Sequence, residues 1–155
     1  MRLVIQRVKR AQVDVAGLCV GSISTGILVL VGVSSGDTLA DVLWCADKLV
    51  NVRIFPNLDA VNGMETSLLD VGGAALLVSQ FTLMGSCVKG RRPTWTLAAK
   101  PDVAENLYME LCNAVRVRGI DVAMGRFRTD MEVSLTDWGP VTLILESPQK
   151  ALGTT

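Results

Sequence analysis

The sequence predicts a single α/β domain in which many short strands form a mixed β-sheet and two main helices pack against it. The chain has 155 residues, which is the size of one ordinary domain. Half of the residues are hydrophobic, enough to build a core without disulfides or metals. Short apolar runs typical of strands also outnumber the two segments that have helical periodicity. We expect the domain to cover residues 1–148, with a frayed C-terminal tail at residues 149–155.

The predicted strands are apolar runs that end at turn residues such as Gly, Asn and Pro. They lie at residues 3–8, 11–15, 18–23, 27–33, 52–55, 74–84, 120–123, 131–135 and 141–145. Residues 57–73 and 85–100 are predicted to be loops, with turn signals at Asn62-Gly63 and Gly72-Gly73. Asp137-Trp138-Gly139-Pro140 is predicted to be a tight connection between the last two strands.

The two helices are predicted from apolar residues that recur three and four positions apart. The first covers residues 39–50 and follows Gly36, with Asp37 or Thr38 able to cap it. The second begins at Pro101, a favoured residue for the first helical position, and ends before Gly119.

Charge and residue usage exclude several classes of function. The net charge is zero, which argues against a protein that binds nucleic acid through overall basic charge. The absence of histidine excludes Ser-His-Asp and Cys-His catalysis and any histidine-containing zinc site. The four cysteines are scattered, so we expect them to be reduced, buried side chains: Cys19, Cys45, Cys87 and Cys112. We therefore expect neither a metal nor a cofactor.

The beginning of the chain alternates like a strand and has no secretory signal. The longest apolar runs are too short to span a bilayer. We expect a cytoplasmic protein that has no membrane partner.

Three segments hold residues that can carry chemistry. Ser79-Gln80-Phe81-Thr82 introduces polar residues into a predicted apolar strand, where buried polar groups need hydrogen-bond partners; alternatively, Ser79 and Thr82 face solvent or bond to the backbone. Gly139-Pro140 can point two carbonyls at a ligand, or it can be an ordinary turn. The cations Lys89, Arg91 and Arg92 can bind phosphates, or they can belong to a solvated surface loop. Taken alone, each segment fits the simpler alternative at least as well.

Together, these segments resemble one family. Ser-Gln-Phe-Thr-Leu at 79–83 and Gly-Pro-Val-Thr at 139–142 are similar to the two signature motifs of the D-aminoacyl-tRNA deacylase family. The resemblance extends over nearly the whole chain, through residues 1–8, 32–33, 36–38, 68–73, 89–90, 92–93 and 125–127. It implies a deacylase-like fold with a barrel-like sheet. The order and spacing of several motifs make the resemblance specific.

The resemblance also implies an activity. Members of this family are homodimers that hydrolyse the ester of D-aminoacyl-tRNA and of glycyl-tRNA mischarged on tRNA-Ala, without a cofactor. Ser79, Gln80, Phe81 and Thr82 would line the pocket for the aminoacyl group and adenosine, and Phe127 and Met131 would help to form the adenosine site. Lys89, Arg91 and Arg92 would contact tRNA.

Chiral selection and catalysis are further implications of the resemblance. Gly139-Pro140, expected to be cis, would reach into the partner's pocket and exclude the side chain of an L-amino acid. The 2′-hydroxyl of the terminal ribose would help to activate water, with backbone N–H groups of residues 79–81 near the developing oxyanion. The alternative makes Thr82 a nucleophile, although no nearby general base is evident.

The chain departs from the family pattern at several positions. Asp137 and Glu65 stand where Asn is usual, and Arg91 replaces another common Asn. Arg128-Thr129 stands where Gly-Ala is usual. Arg128 would be the most consequential departure if it reached the adenosine pocket, and it could equally contact a phosphate.

Two other functions stay open at this point. One is a nucleic-acid-binding module that has lost activity and uses the basic loop with Arg126 and Arg128; the neutral net charge and the intact motifs count against it. The other is an unrelated esterase that uses Ser79, which lacks a base to activate it.

Overall fold

The computed structural model describes residues 1–57 and 63–148, which form a mixed α/β domain with two α-helices. In chain order the elements are β1 (Arg2–Val15), β2 (Leu18–Ile23), β3 (Gly26–Gly32), α1 (Leu39–Asn51), β4 (Arg53–Phe55), β5 (Thr66–Ser67), β6 (Ala74–Ser79), a 3-10 helix (Phe81–Met84), α2 (Pro101–Val117), β7 (Asp121–Met124) and β8 (Glu132–Glu146). The fold class predicted from the sequence is confirmed. Asn62 of the predicted Asn62-Gly63 turn and the predicted tail at 149–155 lie outside the described residues.

The long strand β1 organises the sheet because it pairs with three other strands. Its first half pairs antiparallel with β3 and its second half with β2, while β8 runs antiparallel along both halves. Beyond β3, the strands β6 and β7 are added in parallel. The two segments predicted as separate strands at 3–8 and 11–15 are therefore one continuous strand.

The sheet curls into a nearly closed barrel in which β2 approaches β7. A Cβ atom at Gly21 in β2 would lie 2.5 Å from the carbonyl oxygen of Met124 in β7. This approach is closer than any real side chain allows, so glycine is required where the two strands meet.

The central strands are buried on both faces, which explains their continuous apolar sequence. In β3, Ile27, Val29 and Val31 pack on the helix side of the sheet, whereas Leu28 faces the barrel interior. The same alternation separates Leu77 from its neighbours Leu76 and Val78 in β6. The sheet therefore has two cores, one beneath the helices and one inside the barrel.

The helices begin and end as their sequences predict. Thr38 is the N-cap of α1 and forms a capping box with Asp41. α2 begins at Pro101. Among the described residues, neither helix is long and apolar enough to cross a membrane.

The strand predicted at residues 74–84 is shorter than expected. β6 ends at Ser79, and Phe81–Met84 form a 3-10 helix in which the N–H of Leu83 donates to the carbonyl of Gln80. The physical reason is that β3, the pairing partner, ends at Gly32, and the 3-10 helix packs directly over that glycine. A Cβ there would lie 2.8 Å from Leu83 Cβ.

The tight connection predicted at residues 137–140 is also wrong. β8 continues through these residues as a single strand because β1 is long enough to pair with both of its halves. The pairing register shifts opposite them, between Gln6 and Val8 and again between Val8 and Arg10, so a bulge accommodates Pro140, which has no N–H to donate.

Two of the four cysteines are not buried as expected. Cys45 and Cys112 lie in the core, but Cys19 and Cys87 are exposed. Cys19 lies in β2 and Cys87 lies in the loop after the 3-10 helix, and neither position faces a core. The loop predicted at 57–73 also differs from expectation, since it contains the short strand β5, which pairs with β4.

Candidate active site

A pocket of about 630 Å³ opens at the carboxyl ends of β3, β6 and β7. β6 runs parallel to both neighbours, so all three strands end at one edge of the sheet. Ligands commonly bind at this edge in sheets with parallel strands. The lining residues are Val31, Val33, Val78, Ser79, Gln80, Phe81, Ala98, Ala99, Pro101, Ala104, Tyr108, Phe127, Arg128, Thr129, Asp130, Met131 and Val133.

The pocket brings together five of the residues expected to bind the aminoacyl group and the adenosine. Ser79, Gln80 and Phe81 come from the end of β6 and the start of the 3-10 helix, and Phe127 and Met131 come from the segment between β7 and β8. These residues are far apart in the chain and meet because β6 and β7 are adjacent. The two groups line one cavity.

The backbone after β6 leaves one N–H group at the pocket available. The N–H of Gln80 donates to the carbonyl of Val31 at 2.8 Å, which extends the sheet pairing by one residue. Phe81 is the first residue of the 3-10 helix, where N–H groups lack partners within the helix. Among the described residues, no recorded hydrogen bond uses the Phe81 N–H. A substrate oxygen can therefore take up this donor.

Thr82 is exposed and does not line the pocket, unlike its three neighbours. Its Oγ1 accepts a hydrogen bond from Nε2 of Gln80. An amide N–H cannot remove the proton of a hydroxyl, so this contact does not activate Thr82 as a nucleophile.

Tyr108 forms a wall of the pocket that the sequence reasoning did not identify as functional. Its hydroxyl donates to the carbonyl of Leu77 at 2.8 Å, and its ring centroid lies 6.1 Å from that of Phe127. Burial raises the pKa of Tyr108, so the hydroxyl stays protonated and structural. The sequence could have indicated Tyr108, because it is a tyrosine within the apolar stripe of a helix. A buried hydroxyl in such a position needs a hydrogen-bond partner.

The mouth of the pocket carries charge. Arg128 and Asp130 are both exposed there, and Arg128 has a φ of 57°. This left-handed conformation favours glycine and is uncommon for arginine. Between them, the hydroxyl of Thr129 donates to the carbonyl of Arg126 at 2.9 Å and holds the turn. Arg128, like Asp130, was not predicted to be a pocket residue from residue chemistry alone.

Gly139 and Pro140 do not line the pocket of their own chain. Their peptide bond is cis, and Gly139 has a φ of 135°. Arg7 fixes this segment: its Nε donates to the carbonyl of Trp138 at 2.8 Å, and its Nη1 donates to the carbonyl of Ile54 at 2.5 Å. Burial lowers the pKa of Arg7, and the nearby Asp137 carboxylate opposes that shift. The segment is thus held firmly at the exposed surface of β8.

The basic residues Lys89, Arg91 and Arg92 are exposed and lie outside the pocket lining. Their loop is closed at its base by two hydrogen bonds between Ser86 and Thr94. Trp95, which follows, contacts Phe81 edge to face with ring centroids 5.3 Å apart. The loop is therefore anchored beside the pocket. The described part of the chain contains no group of three or more Cys, Asp or Glu residues that could hold a metal ion.

Comparisons with known proteins give a consistent picture. A family model described as D-Tyr-tRNA(Tyr) deacylase matches residues 4–146. A D-aminoacyl-tRNA deacylase of Bacillus licheniformis is 54% identical over 147 residues, which cover 95% of this chain and 99% of that protein.

Two solved structures have similar folds. The c-Myc DNA unwinding element binding protein superimposes with a TM-score of 0.90 at 36% identity, covering 96% of this chain and 99% of that one. A probable eukaryotic D-amino acid tRNA deacylase superimposes with a TM-score of 0.82, covering 94% of this chain and 98% of that one. The second structure is 21% identical, so it shows a likeness of fold alone.

Proposed function

The chain belongs to the D-Tyr-tRNA(Tyr) deacylase family, and we propose that it is a D-aminoacyl-tRNA deacylase. The reaction is hydrolysis of the carboxylic ester that joins a D-amino acid to the terminal adenosine of tRNA. We place this activity in the cytoplasm, where tRNAs are charged. The neutral net charge suits an enzyme that binds one end of its substrate and does not bind along a nucleic-acid backbone through overall basic charge.

The observation that carries this proposal is the single pocket formed by Ser79, Gln80, Phe81, Phe127 and Met131. Its volume of about 630 Å³ suits a small-molecule group such as an aminoacylated nucleoside. The aromatic ring of Phe127 and the side chain of Met131 suit a stacked base. The polar backbone of Ser79, Gln80 and Phe81 suits the ester.

Catalysis in this pocket relies on the substrate because histidine is absent. The free N–H of Phe81 stabilises the developing oxyanion, and the 2′-hydroxyl of the terminal ribose activates the attacking water. The backbone N–H of Gln80 is not available to the substrate because it already donates to the carbonyl of Val31. Of the backbone N–H groups of residues 79–81, that of Gln80 is therefore excluded as an oxyanion donor.

Selection against L-amino acids is assigned to Gly139 and Pro140 of a second copy of the chain. These residues lie at the surface of β8 and outside the pocket of their own chain, which supports a role in a partner's pocket. Val133, Leu135 and Ile144 of the same strand are exposed apolar residues that a homodimer would cover. Glycyl-tRNA passes this filter because glycine has no side chain to exclude.

The experiment that tests the proposal compares purified protein on D-Tyr-tRNA, L-Tyr-tRNA and Gly-tRNA-Ala. We expect release of D-tyrosine and glycine and no release of L-tyrosine. Failure to release D-tyrosine would refute the proposal. Removal of the substrate's 2′-hydroxyl should abolish hydrolysis, whereas Asp130→Asn, which neutralises the carboxylate that lines the pocket, should leave most of it.

A Thr82→Ala variant tests the nucleophile directly. We expect near-normal hydrolysis because Thr82 is exposed and lies outside the pocket lining. A loss of several orders of magnitude, with normal folding, would instead assign the nucleophile to Thr82.

DNA binding is a second candidate, since one structural relative at 36% identity is named for binding a DNA unwinding element. The basic loop with Lys89, Arg91 and Arg92 would supply the phosphate contacts. Salt-sensitive DNA binding without deacylation, lost when these three residues are changed to alanine, would favour this function.

A further inference from the structure

We propose that Arg128 binds the phosphate on the 5′ side of the nucleotide that occupies the pocket, so that the pocket recognises a nucleotide and not only a nucleoside. This inference rests on the proposed function, which puts a terminal adenosine in the pocket. It assigns substrate affinity to Arg128, for which the sequence reasoning left open a place in the adenosine pocket or a contact with a phosphate.

The first support is the surroundings of the guanidinium group. Arg128 lines the pocket and is exposed. The two ion pairs recorded among the described residues join Met1 to Asp37 and Arg2 to Glu146, and no recorded hydrogen bond involves the Arg128 side chain. Its planar set of N–H donors is thus available for a ligand, and it matches the oxygens of a phosphate.

The second support is the charge of the pocket. Among the described lining residues, Arg128 is the one cation and Asp130 is the one anion, and they form no ion pair with each other. Arg126, two residues away in sequence, and the cations of the basic loop do not line the pocket. Within the pocket lining, Arg128 is therefore the cation that can bind an anionic group.

The third support is the backbone. A φ of 57° is readily adopted by glycine and is unfavourable for an arginine. Arginine at such a position, pointed at a pocket, is typical of a residue kept for function at some expense of stability. Arg128→Gly would remove the side chain and relax the backbone together.

The order of residues along the loop fits the shape of a nucleotide. Phe127 faces Tyr108 on the wall of the pocket, and Arg128 is the next residue at the mouth. A base packed against Phe127 would place its ribose and 5′-phosphate within reach of the next residue of the loop, Arg128, which lines the same pocket.

The test compares two small substrates, the D-tyrosyl esters of adenosine and of 5′-AMP. We expect the wild-type protein to have a KM about tenfold lower for the phosphorylated substrate, since a charged hydrogen-bonded contact of this kind is worth about one order of magnitude. Arg128→Gly should abolish the difference, and Arg128→Lys should keep part of it because Lys retains the charge but not the planar donors. The matched control is Arg126→Ala. Arg126 is an exposed cation two residues from Arg128 that does not line the pocket, so this variant should keep the full difference in KM between the two substrates.

Equilibrium binding of adenosine and 5′-AMP to the same variants gives a readout that needs no reaction. A wild-type preference for 5′-AMP that Arg128→Gly removes and Arg126→Ala retains supports the inference, whatever the hydrolysis assays give. Equal binding of the two ligands by the wild type, or a preference that survives in Arg128→Gly, overturns it. Failure of the proposed function is a separate result, namely no release of D-tyrosine from D-Tyr-tRNA by the wild type. Arg128→Gly should also unfold at a temperature no lower than the wild type, which excludes loss of folding as the cause.

Discussion

Replacing Gly139 with alanine would disturb both the backbone and the guanidinium group packed against it. Gly139 has a φ of 135°, a conformation that L-residues rarely adopt. An added Cβ would also lie 2.9 Å from Nη2 of Arg7 and 3.0 Å from the backbone nitrogen of Val141. Neither neighbour moves freely: Val141 N is backbone, and Arg7 is held through two carbonyls.

The expected loss of stability has two parts. Forcing alanine into this backbone conformation costs about 1–3 kcal/mol. Displacing Arg7 breaks one of its charged hydrogen bonds, to Trp138 or Ile54, which costs about 1.5–3 kcal/mol. The sum of about 2.5–6 kcal/mol is a large share of the roughly 5–15 kcal/mol that stabilises an ordinary domain.

Thermal unfolding followed by circular dichroism measures this loss. A change of 1 kcal/mol shifts the Tm of a domain of this size by about 2–4 °C, so we expect Gly139→Ala to unfold roughly 5–24 °C below the wild type. The matched control is Gly17→Ala, because Gly17 has a φ of 76° but no atom within 4 Å of the added Cβ. That variant should lose only the backbone contribution, about 1–2 kcal/mol.

Equal losses in the two variants would refute the reasoning, because they would mean that Arg7 does not restrict the space at Gly139. A double variant sharpens the test. If Arg7→Met is already present, the further loss from Gly139→Ala should shrink toward the value found at Gly17.

The remaining predictions concern buried groups. Tyr108→Phe should lower the free energy of unfolding by only about 1 kcal/mol in denaturant titrations, because the Leu77 carbonyl keeps a second donor, the N–H of Gly125, at 2.9 Å; a loss above 3 kcal/mol would contradict this. Burial raises the pKa of Cys112 from 9.0 to about 11 and that of Cys45 from 9.0 to about 12. As the pH rises, the thiols therefore lose their protons in the unfolded state before they do so in the folded state. The stabilising contribution of the buried thiols should be fully present below pH 9, and the free energy of unfolding should fall as the pH rises toward 11. The fall should be less steep in Cys112→Ala, and an unchanged slope in that variant would refute the raised pKa of Cys112. Two thiols per chain should react quickly with a disulfide reagent in the native protein, and four after unfolding, because two of the cysteines are exposed and two are buried.

The periodicity of the sequence predicted the fold class and both helices, because local preference and tertiary packing agree there. It failed where a neighbouring strand decides the outcome. Residues 80–84 continue an apolar strand with alternating polar and apolar side chains, but β3 ends at Gly32 and leaves them no partner. Gly139-Pro140 has the residues of a turn, but β1 continues alongside and pairs with the residues on both sides.

The candidate site likewise has features that the sequence predicted and features that depend on tertiary structure. The motifs predicted that Ser79, Phe81, Phe127 and Met131 form one pocket, and the structure brings them together. The resemblance singled out Arg128 as a departure that could reach the pocket, and the structure places it in the pocket lining. Its positive φ depends on how the segment after β7 crosses the end of the sheet.

The pairing of β1 with β8 has a consequence for synthesis of the protein. Arg2 and Glu146 lie in paired strands and are 144 residues apart. At about 5–20 residues per second, a ribosome needs about 7–29 s to make the chain between them. During that time one edge of β1 has no partner, and unpaired strand edges are prone to join other chains. During synthesis the sheet cannot be completed until β8 has left the ribosome. The last step of folding therefore joins strands from the two ends of the described chain and comes late.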